Sequence, residues 1–512
     1  MKKRFFACLL VVILAFLCVS CRGKRRPEVS YANEIDFTEP PVTITYLTIG
    51  DKPSNGMTEK VVEEINKILE KRVNARLDIY YVSWTDYLEN YNTALDSGNV
   101  SLDLIGTGSD WLDAWPNAIN GNFMPLSKEM LSKYCPVTYS HITSQEWEKC
   151  SYKGNIYMIP ENEYTQWINQ GFIYREDIAR GAGLSKVASW EDLDTYFRYV
   201  KKAYPKMIPW DSDGKNVIPA LGYLTSKTKY VPIYELSTYG IWGTYYDEME
   251  KIVSPYYEGD EFVEYARLMK KWNELGVWRE EFGFSGDNNE EFYNGSVSVV
   301  QHHTQSYYSE IKPTMEVMIP EADANFFWFG SENDNLLKTS ILHGAMAVYK
   351  GSENPERALM VYDLLRNDPK LYKLMRYGIE NVQYKVNKEG MLEKPSGYNS
   401  ARDSFVTNFW WGRRDDLEIQ DSEYAWSDYY ELVDIYNRNA KTYPWDNVPF
   451  STEEINNEIR PIIQIFEEYL PRIAYGRYDG SPEDEVAEFR QALSDAGMEK
   501  VTRKLQSVLN SY

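Results

Sequence analysis

An alternation near the start of this chain limits what it can fold into. "VTITYLTIG" (42–50) is rich in β-branched residues and reads as a strand. "GMTEKVVEEINKILEKRV" (56–73) sets Val61, Ile65, Ile68 and Leu69 at helical spacing. "ARLDIYYVSW" (75–84) reads as a second strand, and "TDYLENYNTALDSG" as a second helix closed by Gly98. "SLDLIG" is a third strand, apolar enough to lie inside a parallel sheet. This β-α-β-α-β run predicts a doubly wound sheet, in which ligands sit beyond the carboxyl ends of the strands. "DLIGTGSDWLDAW" (103–115) lies at that edge, with paired carboxylates and indoles at the mouth of the third strand.

Further landmarks continue the pattern. "GNIYMIP" reads as a strand ending in Pro160, and "WINQGFIYREDIAR" as another leading into a helix. Ser189 caps "SWEDLDTYFRYVKKAY", with Asp192 three residues later; Asn354 caps a later helix with Pro355 in its first turn. The C-terminal stretch is helical. A chain of 512 residues exceeds what one core usually organises, so two lobes are expected.

The N-terminus sorts the chain by compartment. Lys2, Lys3 and Arg4 precede the apolar run "FFACLLVVILAFLCVS", which is shorter than the roughly 20 residues that span a bilayer. Residues 1–20 are expected to be a signal peptide. "LCVSC" looks like a bacterial lipobox with Cys18 in the usual Leu position, so Cys21 is the expected lipidation site. The polar residues 21–41 read as a flexible tether. Cys135 and Cys150 then either pair in an oxidising compartment or stay as two buried thiols.

Several chemistries lack support. The net charge of −22, from 55 Lys+Arg against 77 Asp+Glu, argues against nucleic-acid binding. His141, His302, His303 and His343 show no metal-ligand spacing, and adjacent His302 and His303 on a strand should point to opposite faces. No phosphate loop, dinucleotide fingerprint or nucleophile elbow occurs, so no cofactor is expected. A secreted glycosidase needs two carboxylates about 5–10 Å apart, and the many acids leave that alternative open, as they do a binder of peptides or other polar solutes.

The ordered segments "ITYLTIGDKPSNGMTEKVVEEINKIL", "LDIYYVSWTDYLENYNTALDSGNVSLDLIGTGSDW", "GFIYREDIARGAGLSKVASWEDLDTYFRYVK", "GAMAVYKGSENPERALMVYDLLRNDPKLYKLMRYGIEN" and "RPIIQIFEEYLPRIAYG" with "DEVAEFRQALSDAGMEKVTRKLQ" cover most of the chain. Together they resemble the family 1 extracellular solute-binding lipoproteins of sugar ABC importers, with a DUF3502-like C-terminal region. The resemblance implies a two-lobed, periplasmic-binding-protein-like α/β fold of type II, each lobe a mixed sheet flanked by helices. Lobe 1 would hold residues 42–163 and 320–382, and lobe 2 residues 164–319 and 383–512. The implied role is to close like a hinge on a carbohydrate and deliver it to membrane permease subunits. The implied protein is a monomer without catalytic residues, lipid-anchored at the extracytoplasmic face of a bacterial membrane.

A sugar offers directional hydroxyls and an apolar CH face, so its site needs aromatic platforms beside carboxylates and amides. Asp110 and Trp111 supply both on the expected ligand edge, whereas Trp115, before Pro116, suits a buried turn. Asp51 and Lys52 lie in the first strand–helix loop, where related maltodextrin binders use an Asp-Lys pair on sugar hydroxyls; Trp84 ends the second strand. From the second lobe, Tyr164, Gln166 and Trp167 follow the first crossing, and Trp242 and Tyr245 stand among glycines. Related binders carry a stacking aromatic at the strand end where this chain has Gln301, His302 and His303. "TNFWWGRRDD" adds Trp410 and Trp411 beside Asn408, one expected to face the cleft and one the core.

Overall fold

The β-branched run forms strand β1 (Val42–Ile49), and helix α1 (Met57–Val73) returns with Val61, Ile65, Leu69 and Val73 on its buried stripe. Strand β2 (Ala75–Val82) pairs parallel to β1 from Val42↔Ala75 to Ile49↔Val82. Helix α2 (Tyr87–Ser97) leads to strand β3 (Leu104–Thr107), parallel to β1 on its other side. These coordinates are a computed structural model, which describes residues 31, 35–161, 169–210, 212, 214–280, 288–446 and 455–511. The expected signal peptide, Cys21, Tyr164, Gln166 and Trp167 lie outside the described residues.

After the short strand β4 (Ile159–Pro160) the chain builds a second sheet. It comprises β5 (Gln170–Arg175), β6 (Ile208–Trp210), β7 (Val297–His303) and β8 (Ala324–Trp328), in the order β8-β5-β7-β6. Phe172, Tyr174 and Val299 join one core, and Ile173 and Val300 another, as period-two alternation requires. The chain then returns to the first sheet as β9 (Ala345–Val348), antiparallel to β3 and β4, giving the order β2-β1-β3-β9-β4. Both sheets are mixed, and helices cover them. The C-terminal helices Asn456–Ala474, Pro482–Asp495 and Met498–Leu509 pack into the second core through Phe466, Phe489 and Val501.

Three details differ from the sequence reading. β8 pairs with β5, so residues 324–328 belong to the second sheet although the boundary at 320 put them with the first. Phe409 and Trp411 pack into the first core although residues 383–512 were assigned to the second lobe. Within the expected tether, Tyr31 and Ile35 are buried; the Tyr31 hydroxyl donates to Asp363 at 2.6 Å, which fastens the chain to the first half. Cys135 and Cys150 are free buried thiols, the first beside Asp363 and the second bonded to the Glu146 carbonyl, so the disulfide alternative falls.

Candidate ligand-binding site

β1, β2 and β3 end at one edge of the first sheet, and their loops carry Asp51 and Lys52, Trp84, and Asp110 with Trp111. A segment from far along the chain lies across this edge. The Tyr46 hydroxyl donates to the Asn408 carbonyl at 2.8 Å, Tyr81 to Val406 at 2.6 Å, and the Asn408 amide to Ile49 at 2.6 Å. These bonds set Trp410 and Trp411 beside the β3 loop.

The "GTG" at the end of β3 explains how indoles fit there. A Cβ at Gly106 would overlap the Trp411 ring, and one at Gly108 would overlap both Trp111 Nε1 and the His343 carbonyl. With glycine, Trp411 closes on the backbone at Gly106 and Trp111 at Gly108. Trp111 and Trp411 stack at 5.6 Å and 11°, and Trp84 stacks on Trp111 at 6.2 Å and 20°. Trp410 stands 6.0 Å from Trp84, and Tyr87 6.1 Å from Trp111. The pile is graded: Trp411 is 0% exposed, Trp111 and Trp410 are half-buried, and Trp84 is 46% exposed. Trp411 is thus floor rather than contact surface, and Trp84 is the outermost ring. Trp115 is core.

Polar groups flank the pile. Trp111 Nε1 donates to the His343 carbonyl at 2.8 Å, and His343 Nδ1 lies 2.9 Å from the Asp110 carboxylate. Burial opposes charge on His343, but the Asp110 carboxylate, their hydrogen bond and Glu161 outweigh it and raise its pKa. His343 sits on the crossing into β9, and Glu161 on the crossing out of β4; the Glu161 N–H donates to the Gly344 carbonyl at 2.7 Å.

The second half faces this edge with residues outside the sequence expectation. Burial and the field of Asp110 raise the Tyr234 phenol's pKa; burial, Glu467 and Asp113 raise that of Tyr239. Burial, Glu89 and Asp113 likewise push up the Glu467 carboxyl. Beside Tyr234, Glu235 accepts the Tyr443 hydroxyl at 2.7 Å, and burial pushes its pKa up to about 8. At the rim, Lys215 reaches Asp86 at 2.9 Å across the two halves. The site therefore gathers carboxylates, phenols and indoles from both halves of the molecule.

The remaining expected residues scatter. Lys52 pairs with Glu59 at 2.7 Å, and Asp51 is exposed on the same loop. Trp242 is 0% exposed in the second core with Nε1 donating to Thr502, so it cannot be a platform: the C-terminal helix covers it. Tyr245 stands against Tyr230 among Glu248, Glu258 and Glu261. Gln301 bonds Gln170 and Asn216. The His302 and His303 rings meet at 4.4 Å instead of pointing apart, because the strand ends there and His303 turns to cap the next turn at Ser306. Burial, then His302 and His343, pushes the His303 pKa well down, which puts His303 on the His343 side of the site. Among the described residues no group of three or more His, Cys, Asp or Glu could hold a metal ion. Nor is any described helix long and apolar enough to cross a membrane.

Residues 52–368 match the family described as bacterial extracellular solute-binding protein, which is more than half of the chain. The chain belongs to that family. Residues 449–512 of this solute-binding protein also match a domain of unknown function, DUF3502. It is 24% identical, across all of its length and 98% of the relative's, to a carbohydrate ABC transporter substrate-binding protein of Streptococcus pneumoniae serotype 4 (strain ATCC BAA-334 / TIGR4). Its fold is that of the N-glycan transport solute binding protein (NgtS) from Streptococcus pneumoniae in complex with Man1GlcNAc. That match has a TM-score of 0.70 and 19% identity, covering 92% of this chain and 99% of that one. An extracellular solute-binding protein from Bifidobacterium longum subsp. infantis follows with a TM-score of 0.62 and 15% identity, covering 94% and 100%.

Tyr87, Tyr234 and Tyr239 could have been suspected from the aromatic loops "SWTDY" and "YELSTYG". Glu467 could not, since "FEEYL" reads as an ordinary solvated helix face.

Proposed function

We propose that this chain is the substrate-binding lipoprotein of an ABC importer, which captures an oligosaccharide by hinge closure and hands it to membrane permease subunits. The observation that carries this reading is the graded indole pile beside Asp110 and His343, faced by Tyr234, Tyr239 and Glu467 from the other half. Exposed rings take the CH face of a sugar, and the acids and phenols take its hydroxyls. The names of the relatives support a sugar as the ligand. Lobe 1 would be built on the first sheet and lobe 2 on the second, with crossings near Glu161 and His343 as the hinge. Asp51, Lys52, Tyr164 and Trp167 stay among the proposed ligand residues. Lipidation at Cys21, a monomeric state and the absence of catalysis complete the proposal.

A thermal-shift panel of neutral and acidic oligosaccharides, with Man5GlcNAc among the neutral ones, tests it. A stoichiometric rise in melting temperature with one sugar class, without turnover, is expected. Hydrolysis of any member would end the transport reading, and silence across the panel would end the carbohydrate reading.

A further inference from the structure

Glu161 stands where the two crossings meet, directly after β4 and bonded through its N–H to Gly344. Its side chain is 3% exposed, and Oε1 has no hydrogen-bond partner among the described residues. The groups around it come from three elements. Arg366 belongs to the helix Pro355–Asn367, Arg413 and Asp415 to the segment after the indoles, and His343 to the second crossing. Burial pushes the Glu161 carboxyl up to about 7, against the pull of Arg413, Arg366 and His343. A buried carboxylate oxygen without a partner is costly, because it has lost water and gained nothing. Ionised, it is an acceptor and lacks a donor. The Glu161 backbone bonds Gly344, and the preceding His343 touches Asp110 and Trp111, so Glu161 lies one residue removed from the indole pile.

We propose that Glu161 is a specificity-determining ligand residue whose free Oε1 accepts a hydrogen bond from a hydroxyl of the innermost sugar ring. The proposal rests on the carbohydrate reading above. A bound hydroxyl favours the ionised carboxylate, so ligand capture drives a proton from Glu161 near neutral pH. If binding lowers its pKa by one unit, affinity rises about fivefold between pH 6 and pH 8. The neighbouring His343, whose pKa Asp110 raises against burial, also titrates, and a variant of Glu161 alone separates the two contributions.

The test is calorimetry with Man5GlcNAc, or with another panel sugar that shifts the wild type, at pH 6, 7 and 8 in phosphate and in Tris. For the wild type, the pH-dependent gain and a heat that changes with the buffer are expected. Glu161→Gln should bind at least about tenfold more weakly at pH 8 and lose most of the buffer dependence. Glu161→Asp should keep the proton release while losing affinity, and it carries the comparison if the amide variant does not fold. A wild type that binds no panel sugar overturns both readings. A wild type that binds while either folded variant matches it in affinity and pH profile overturns this proposal and leaves the carbohydrate reading standing.

Discussion

In the second half Trp190 and Trp272 stack at 6.0 Å and 17°; in the first, Trp111 and Trp411 stack at 5.6 Å and 11°. The ring geometry is nearly the same, and the surroundings are opposite. Phe172, Phe197 and Phe329 close edge-on and face-on around the second-half pair, and Trp272 Nε1 donates to Asp194 at 3.0 Å. No face of that pair is left for solvent. The first-half pile instead continues outward through Trp84, nearly half exposed, beside a carboxylate–imidazole pair. Stacking indoles therefore does not distinguish core from site. What distinguishes them is whether the stack ends in packing or in open, polar-rimmed surface.

Three substitutions would break or sharpen that contrast. Trp272→Ala should cost about 3–5 kcal/mol of stability, read as a denaturant midpoint, because it opens a cavity and strips a donor from Asp194. A loss below about 1 kcal/mol would mean that the second-half stack is not structural. Trp84→Ala should leave stability within about 1 kcal/mol and weaken the best panel sugar by about 1–3 kcal/mol in calorimetry. Unchanged affinity would move the platform elsewhere. The smallest effect belongs to the Asp110–His343 pair. Since the folded state raises the His343 pKa, its contribution is fully present below about pH 6.5 and fades as pH rises through the folded value. His343→Gln should therefore lower the melting temperature by roughly 1–2 °C at pH 5.5 and by less at pH 8.5. A loss that grows with pH would refute the pairing.

The opening βαβαβ unit was legible because each element carries its own periodicity, and β1, α1, β2, α2 and β3 appear within a few residues of their expected bounds. That Asp110, Trp111 and Trp84 share one edge of the first sheet was legible for the same reason, since each follows the end of a strand. Trp242 was misread because glycines on both sides look like an exposed loop, and nothing local announces that Thr502 will cover it. Glu161 went unnoticed because a lone acid after a strand is unremarkable until both crossings are seen to meet there.

The sequence by itself determined the alternating elements and which loops share the edge of the first sheet, because hydrophobic period and turn chemistry act over a few residues. It also set the small backbone at Gly106 and Gly108 on which rings can lie. Only the tertiary structure decided that Trp411, some three hundred residues from β3, lands on Gly106 and sets Trp410 beside Trp84. It likewise decided that Tyr234, Tyr239 and Glu467 face them from the second half and that Trp242 is sealed away. Those outcomes depend on long-range packing, where shape and burial select among many tryptophans and acids that look alike along the chain.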